Sequence, residues 1–172
     1  MEGADKIYVG IAQHKTRVSA GLLVCSALGS CVAVCLYDLS AKIAGVVHIL
    51  LPDAESSVRH DNPDKFADTG IITLIAELET LGAARKKLRA KIAGGASLFD
   101  FGPWHRRSED GSSLALASIG EKNINAVRKT LRELGIPIMA SAVGGNYGRS
   151  VYFNTENGVM LIKSARYGDK SL

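Results

Sequence analysis

Two apolar runs joined by a short polar connection constrain the fold of this chain more than any other feature. The first run begins after Gly29-Ser30 and continues to Tyr37, and the second covers residues 45–51. The connection at residues 38–42 holds Asp, Ser and Lys, as in a β-hairpin. Because successive residues of both runs are apolar, the two strands are expected at the centre of a sheet that is covered on both faces.

The hairpin places a cysteine near a histidine. Cys31 begins the first strand and His48 lies within the second. If the chain turns between Leu39 and Ser40, these two residues face each other directly, with Cβ atoms about 4.5–5.5 Å apart. A slip of one residue would send them to opposite faces of the sheet. A cysteine beside a histidine is the minimum equipment for nucleophilic catalysis by a thiolate.

Two other interpretations of these side chains remain open. Cys31 could be a small buried apolar residue, which is the usual fate of a cysteine. Cys25, Cys31, Cys35 and His48 would also supply four zinc ligands in number. The cysteine spacings do not match the short C-x-x-C pairs of structural zinc sites, so zinc is the less favoured of the two interpretations.

The remaining pattern predicts two helices and several further strands. Apolar residues recur at helical spacing over residues 64–81 and 121–134. Because strands cluster at both ends of the chain, the fold class is α+β: a single layered α/β domain over residues 1–172, with mixed sheets flanked by helices. Residues 100–113 are expected to form a surface loop, and residues 165–172 a frayed tail. Further strands are predicted over residues 6–13, 21–25, 88–93, 136–143, 149–155 and 158–163.

Composition limits the compartment and the partners. The chain has 172 residues, a formal net charge of +4 and three cysteines without a disulfide framework spacing. Free thiols favour a reducing compartment, so the cytoplasm is expected. No apolar run approaches the ~20 residues that cross a bilayer, so no membrane insertion is expected. The basic stretch at residues 85–91 has no interleaved aromatic residue, which argues against nucleic acid.

The other histidines and the glycine-rich turns carry no predicted chemistry. His14, His60 and His105 have polar neighbours and are expected at the surface. Residues 94–95 and 144–148 do not fit the pattern of a phosphate-binding loop. They are predicted to form tight turns near the rim of a pocket.

Several motifs together resemble the CheD family of chemoreceptor glutamine deamidases. They extend over most of the chain in the order that the family has them. The resemblance implies a cytoplasmic chemotaxis enzyme with a layered α/β fold related to the catalytic domain of cytotoxic necrotizing factor toxins. The motifs are Leu28-Gly29-Ser30-Cys31-Val32, Gly45-x-x-His48-x-x-Leu51-Pro52, Lys65-Phe66-Ala67-Asp68-Thr69, Lys91-Ile92-Ala93-Gly94-Gly95-Ala96-Ser97, Ile119-Gly120-Glu121-Lys122-Asn123 and Gly144-Gly145-Asn146.

The resemblance implies a catalytic set of Cys31, His48 and the residue at position 25. The family has a threonine there, whereas this chain has Cys25, whose thiol is a weaker hydrogen-bond acceptor. In the reaction His48 is expected to accept the proton of Cys31 and leave a thiolate–imidazolium pair, and the Ser30 and Cys31 N–H groups are expected to hold the oxyanion. No cofactor or metal is implied. The implied partners are chemoreceptor cytoplasmic helices, as substrate, and the phosphatase CheC.

A non-catalytic module that binds receptors or CheC is the alternative, and the change at position 25 favours it. Esterase or amidase action on another protein is a weaker third hypothesis, because a cysteine–histidine pair supports acyl transfer in general.

Overall fold

The computed structural model describes residues 5–55, 57, 61–97 and 118–172. The predicted α+β class is confirmed: two five-stranded sheets and two α-helices make up the described part of the chain. The helices are α1 (Ala67–Thr80) and α2 (Ile119–Glu133), with short 3-10 turns at Pro63–Lys65 and Arg85–Lys87. The strands are β1 (Lys6–Tyr8), β2 (His14–Val18), β3 (Leu22–Leu28), β4 (Val32–Asp38), β5 (Ile43–Ile49), β6 (Arg89–Gly94), β7 (Ile138–Val143), β8 (Arg149–Asn154), β9 (Met160–Ser164) and β10 (Gly168–Ser171).

The elements form three layers with a core on each side of the middle one. The outer sheet has the order β1-β3-β8-β9-β10, and the central sheet has the order β2-β5-β4-β6-β7. One apolar core lies between the central sheet and the two helices, and includes Val34, Val47 and Leu74. The other lies between the two sheets, and includes Cys25, Cys31 and Cys35. The central sheet is therefore covered on both faces, as the apolar runs predicted.

The β4–β5 hairpin forms as predicted, but its register differs from the predicted one. Every residue of β4 and β5 is buried. Ala33, not Cys31, lies opposite His48, because the chain turns one residue later, between Ser40 and Ala41. The Asp38 carboxylate accepts hydrogen bonds from the Ser40 and Ala41 N–H groups and so fixes this later turn. Cys31 keeps its predicted face but lies diagonally from His48.

Both edge strands that the sequence analysis missed are polar. Residues 165–172 do not form a frayed tail: Gly168–Ser171 pairs antiparallel with β9, and the Leu172 and Met160 backbones exchange hydrogen bonds of 2.9 and 3.0 Å. His14–Val18 is likewise an edge strand, paired with β5. An edge strand whose side chains face solvent carries no hydrophobic alternation, so its sequence does not show the strand.

His14 was predicted to lie at the surface, and the structure corrects this. Its Nδ1 lies 2.7 Å from Asp64 Oδ2, and its Nε2 lies 2.5 Å from Glu77 Oε2. Burial alone would lower the pKa of His14, but the hydrogen bonds and charges of Glu77 and Asp64 raise it above the ordinary value of 6.5. The charged ring thus links edge strand β2 to α1.

Stability should therefore depend on pH through His14. A histidine whose folded-state pKa is raised stabilises the fold fully below its unfolded pKa and loses that contribution as the pH rises through the folded pKa. The free energy of unfolding of wild type should fall, relative to that of His14→Gln, as the pH rises above about 6.5. Urea unfolding of both proteins across this range measures the free energy of unfolding. Identical pH profiles would contradict a stabilising contribution of the charged His14 ring.

His60, His105 and the predicted loop at 100–113 lie outside the described residues. Within the described residues, neither α-helix is long and apolar enough to cross a membrane.

Candidate active site

Cys31 lies where the chain crosses from the outer sheet to the central sheet. Strand β3 belongs to the outer sheet and β4 to the central sheet, so residues 29–31 connect the two. The Cys31 carbonyl accepts a 2.7 Å hydrogen bond from Gly95 N–H. The side chain faces the core between the sheets and is 8% exposed. Burial raises the pKa of the Cys31 thiol, and its own backbone N–H partly opposes that rise.

His48 lies on β5 with one ring nitrogen engaged and the other unpaired. Its Nδ1 lies 3.4 Å from the Val9 carbonyl oxygen, to which an Nδ1–H can donate. Its Nε2 is buried and has no hydrogen-bond partner in the described part of the chain. Burial lowers the pKa of His48, and the Val9 hydrogen bond opposes this only partly. The ring is therefore neutral at pH 7, with the Nε2 lone pair left as a base.

Burial does not favour a thiolate–imidazolium pair in the resting protein, and the pair expected during the reaction stays a prediction. No hydrogen bond joins Cys31 Sγ to the His48 ring, and burial shifts both pKa values toward the uncharged forms. The two residues share a face of the central sheet at diagonal positions. Diagonal neighbours on one face of an antiparallel pair are about 7–8 Å apart.

Cys25 approaches the same place from the opposite sheet. It lies on β3 of the outer sheet, is fully buried, and faces the core that contains Cys31. Desolvation, and then the charge of Cys31, raise the pKa of Cys25 to about 12. The structure thus brings position 25 beside Cys31 but gives its thiol no hydrogen bond to His48. The group that pairs with the imidazole is the Val9 carbonyl.

The N–H groups expected to hold an oxyanion are available. The Ser30 and Cys31 N–H groups donate to no acceptor within residues 5–55, 57, 61–97 and 118–172, and the Cys31 N–H lies against its own sulfur. Cys35, four residues further along the chain on β4, differs: it is fully buried and its Sγ lies 4.0 Å from Met160 Sδ. It offers a matched control for Cys31.

The sequence analysis missed Val9 and Asn123 at this site. Val9 acts through its carbonyl, which has no sequence signature. Asn123 on α2 donates to the Ser30 and Leu50 carbonyls from 93 and 73 residues away. The only sequence signal for Asn123 is the motif Ile119-Gly120-Glu121-Lys122-Asn123.

A buried thiol, an imidazole and two backbone N–H groups lie near one another at one end of the two-sheet core, and the imidazole Nε2 and both N–H groups have no partner among the described residues. These are the parts of a cysteine-dependent acyl-transfer site, the class that also includes amide hydrolases.

Comparisons of the sequence with known proteins point to one protein family. Residues 50–164 match the family model described as CheD chemotactic sensory transduction. A Caldanaerobacter subterraneus protein named "Probable chemoreceptor glutamine deamidase CheD" is 44% identical, over 94% of each chain. Proteins named "Chemoreceptor glutamine deamidase CheD" are 40% identical in Halalkalibacterium halodurans, over 98% of this chain and 99% of that one, and 39% identical in Thermotoga maritima, over 96% of each. The chain belongs to the CheD family.

Among solved structures, a Bacillus licheniformis hypothetical protein, YfiH, aligns with a TM-score of 0.45 and 16% identity, over 75% of this chain and 49% of that one.

Proposed function

We propose that this chain is a chemoreceptor glutamine deamidase that uses Cys31 as its nucleophile. The observation that carries this proposal is the buried Nε2 of His48, which has no partner among the described residues and lies on the face of the sheet that holds Cys31. A buried polar atom without a partner costs stability, and a functional role explains why it is kept. The names of the full-length relatives support glutamine as the substrate and the chemoreceptor as the protein that carries it.

The reaction proceeds through a thioester. His48 Nε2 takes the proton of Cys31 Sγ as the sulfur bonds to the glutamine amide carbon, and the oxyanion that forms is held by the Cys31 N–H. The imidazolium then returns that proton to the amide nitrogen, and the C–N bond breaks to release ammonia. Water attacks the thioester carbon while His48 accepts its proton; the C–S bond breaks, the sulfur is reprotonated, and glutamate remains.

The neutral resting pair fits this sequence. A thiol that becomes a thiolate only when substrate has excluded water is protected from adventitious oxidation in the free enzyme. The Val9 carbonyl keeps the proton on Nδ1 and so leaves Nε2 as the base. Cys25 forms the wall opposite Cys31 and does not orient the imidazole.

Thiol reactivity tests the nucleophile. Iodoacetamide should label Cys31 at least about tenfold faster than Cys25 or Cys35, because Cys31 is 8% exposed and the other two are fully buried. The labelling rate should rise with pH beyond 9, since the pKa of Cys31 is raised above its ordinary value of 9.0. Peptide mapping after timed labelling reads the three sites, and deamidation should disappear in step with labelling of Cys31.

The same experiment separates the enzyme from a non-catalytic binding module. The raised pKa of Cys31 and the cysteine at position 25 are the observations that favour the module. If Cys31 is as inert as Cys35 in the native protein, and receptor fragments bind without being altered, the module replaces the enzyme.

The proposal extends to partners and location. Chemoreceptor cytoplasmic helices are the substrate, and a phosphatase of the CheC class would compete with them for the face around Cys31. Three free cysteines are compatible with the cytoplasm, the compartment in which the enzyme would reach these receptor helices.

A further inference from the structure

Asn123 is a buried amide that ties together the two chain segments of the candidate site. It lies on α2 and is completely buried. Its Nδ2 donates to the Ser30 carbonyl at 2.9 Å and to the Leu50 carbonyl at 3.0 Å. Ser30 directly precedes Cys31, and Leu50 lies two residues after His48. One side-chain amide therefore fixes the segment that carries the thiol relative to the strand that carries the imidazole.

The bond to Ser30 also sets the direction of the Cys31 N–H. The described chain has no cis peptide, so the Ser30 C=O and the Cys31 N–H point in opposite directions. Asn123 approaches the central sheet from the helix side, whereas the Cys31 side chain faces the core between the sheets. Drawing the Ser30 carbonyl toward α2 thus turns the Cys31 N–H toward its own sulfur, where an oxyanion would form.

Neighbouring bonds complete the constraint. The Gly29 carbonyl accepts from Ala96 N–H at 2.8 Å, and the Cys31 carbonyl accepts from Gly95 N–H at 2.7 Å. Together with the bond from Asn123 to Ser30, these hydrogen bonds hold the carbonyls of three successive residues, Gly29, Ser30 and Cys31. The N–H groups between them have no freedom to turn, which is the condition for a preorganised oxyanion hole.

Helix α2 is placed closely enough to make this contact. A Cβ at Gly120 would lie 2.6 Å from the Gly95 carbonyl oxygen and 2.7 Å from that of Ala96, so only glycine lets the helix approach the loop. Asn123 follows one turn later. Its Oδ1 is buried without a partner in the described part of the chain, an arrangement that costs stability.

We propose that Asn123 is a positioning residue for catalysis: its carboxamide aims the Cys31 N–H at the developing oxyanion and holds the Cys31 and His48 segments in register. This inference rests on the proposed deamidase function. It predicts that loss of the amide donor affects the chemical step and spares both substrate binding and the intrinsic reactivity of the thiol.

The experiment compares wild type with Asn123→Leu and Asn123→Asp, which keep the branched shape of the asparagine side chain but lack the amide group that donates both hydrogen bonds. For a receptor cytoplasmic fragment, kcat should fall about 100-fold or more, the loss typical of one oxyanion donor, while KM changes less than about threefold. The rate of Cys31 alkylation by iodoacetamide, which needs no oxyanion donor, should stay within about threefold of wild type. Thr130→Val changes another buried polar residue of α2 and should leave kcat unchanged.

The outcomes are distinguishable. If wild type deamidates the fragment and Asn123→Leu has a normal kcat, the positioning role is overturned and the proposed function stands. Equal losses of kcat and alkylation, or failure of both variants to fold, would make Asn123 a structural residue and also overturn the role. Wild type without deamidation would overturn the proposed function and the inference together.

Discussion

Replacement of His48 by alanine is expected to lower kcat for glutamine deamidation by about 10³-fold. The imidazole serves as base toward Cys31, as acid toward the leaving ammonia and as base toward water, and no other described side chain reaches this position with an unpaired buried nitrogen. Rates on a receptor fragment, taken with thermal unfolding of the same samples, measure the effect.

His14→Gln is the matched control for that variant. His14 lies opposite Val47, next to His48, but contacts Asp64 and Glu77 on the helix side of the central sheet. It should change stability and leave kcat within about twofold, because its ring lies on the face of the central sheet opposite to that of Cys31 and His48. If His48→Ala kept more than about a tenth of wild-type kcat, the imidazole would not be the general base.

Replacement of Gly94 by alanine is expected to destabilise the protein by about 4 kcal/mol or more, among the largest effects of a single substitution. Gly94 ends β6 at φ +116, and an added Cβ would lie 2.1 Å from the Cys31 carbonyl oxygen. Backbone rather than a flexible side chain stands in the way, so the segment that carries the nucleophile must move. Urea unfolding measures the loss, and alkylation of Cys31 should change with it.

Gly144→Ala separates the clash from backbone strain. Gly144 also has a positive φ, +79, but an added Cβ would meet nothing within 4 Å. It should cost only the roughly 1–2 kcal/mol of a left-handed residue. Equal losses in the two variants would contradict the close approach of Gly94 to Cys31.

The features that could be predicted from the sequence are those with a strong local pattern. The continuous apolar runs around Val34 and Val47 placed β4 and β5 at the centre of the fold, and helical spacing located α1 and α2 to within a few residues. The predicted hairpin register was wrong because the turn lies one residue later than predicted. The Asp38 side chain, rather than loop length alone, decides where the chain reverses. The face shared by Cys31 and His48 survived because the shift preserved their parity.

The missed parts of the site depend on contacts between distant segments. Cys25 was placed with Cys31 only through the family resemblance, because their facing depends on the two sheets packing together. The Val9 carbonyl replaces a side chain as the partner of His48, and a backbone group leaves no trace in composition. A polar edge strand such as Gly168–Ser171 likewise has no recognisable sequence pattern, since its solvent-facing side chains need not alternate between apolar and polar.

The measurement that tests the central claim most directly is mass spectrometry of a chemoreceptor cytoplasmic fragment incubated with wild type, Cys31→Ala or Cys35→Ala. Cys35 is the matched control because it lies on the same face of the central sheet and is fully buried. Wild type and Cys35→Ala should convert the same glutamines to glutamate, and Cys31→Ala should convert none above the enzyme-free background. Conversion by Cys31→Ala at the wild-type rate would contradict the assignment of Cys31 as the nucleophile.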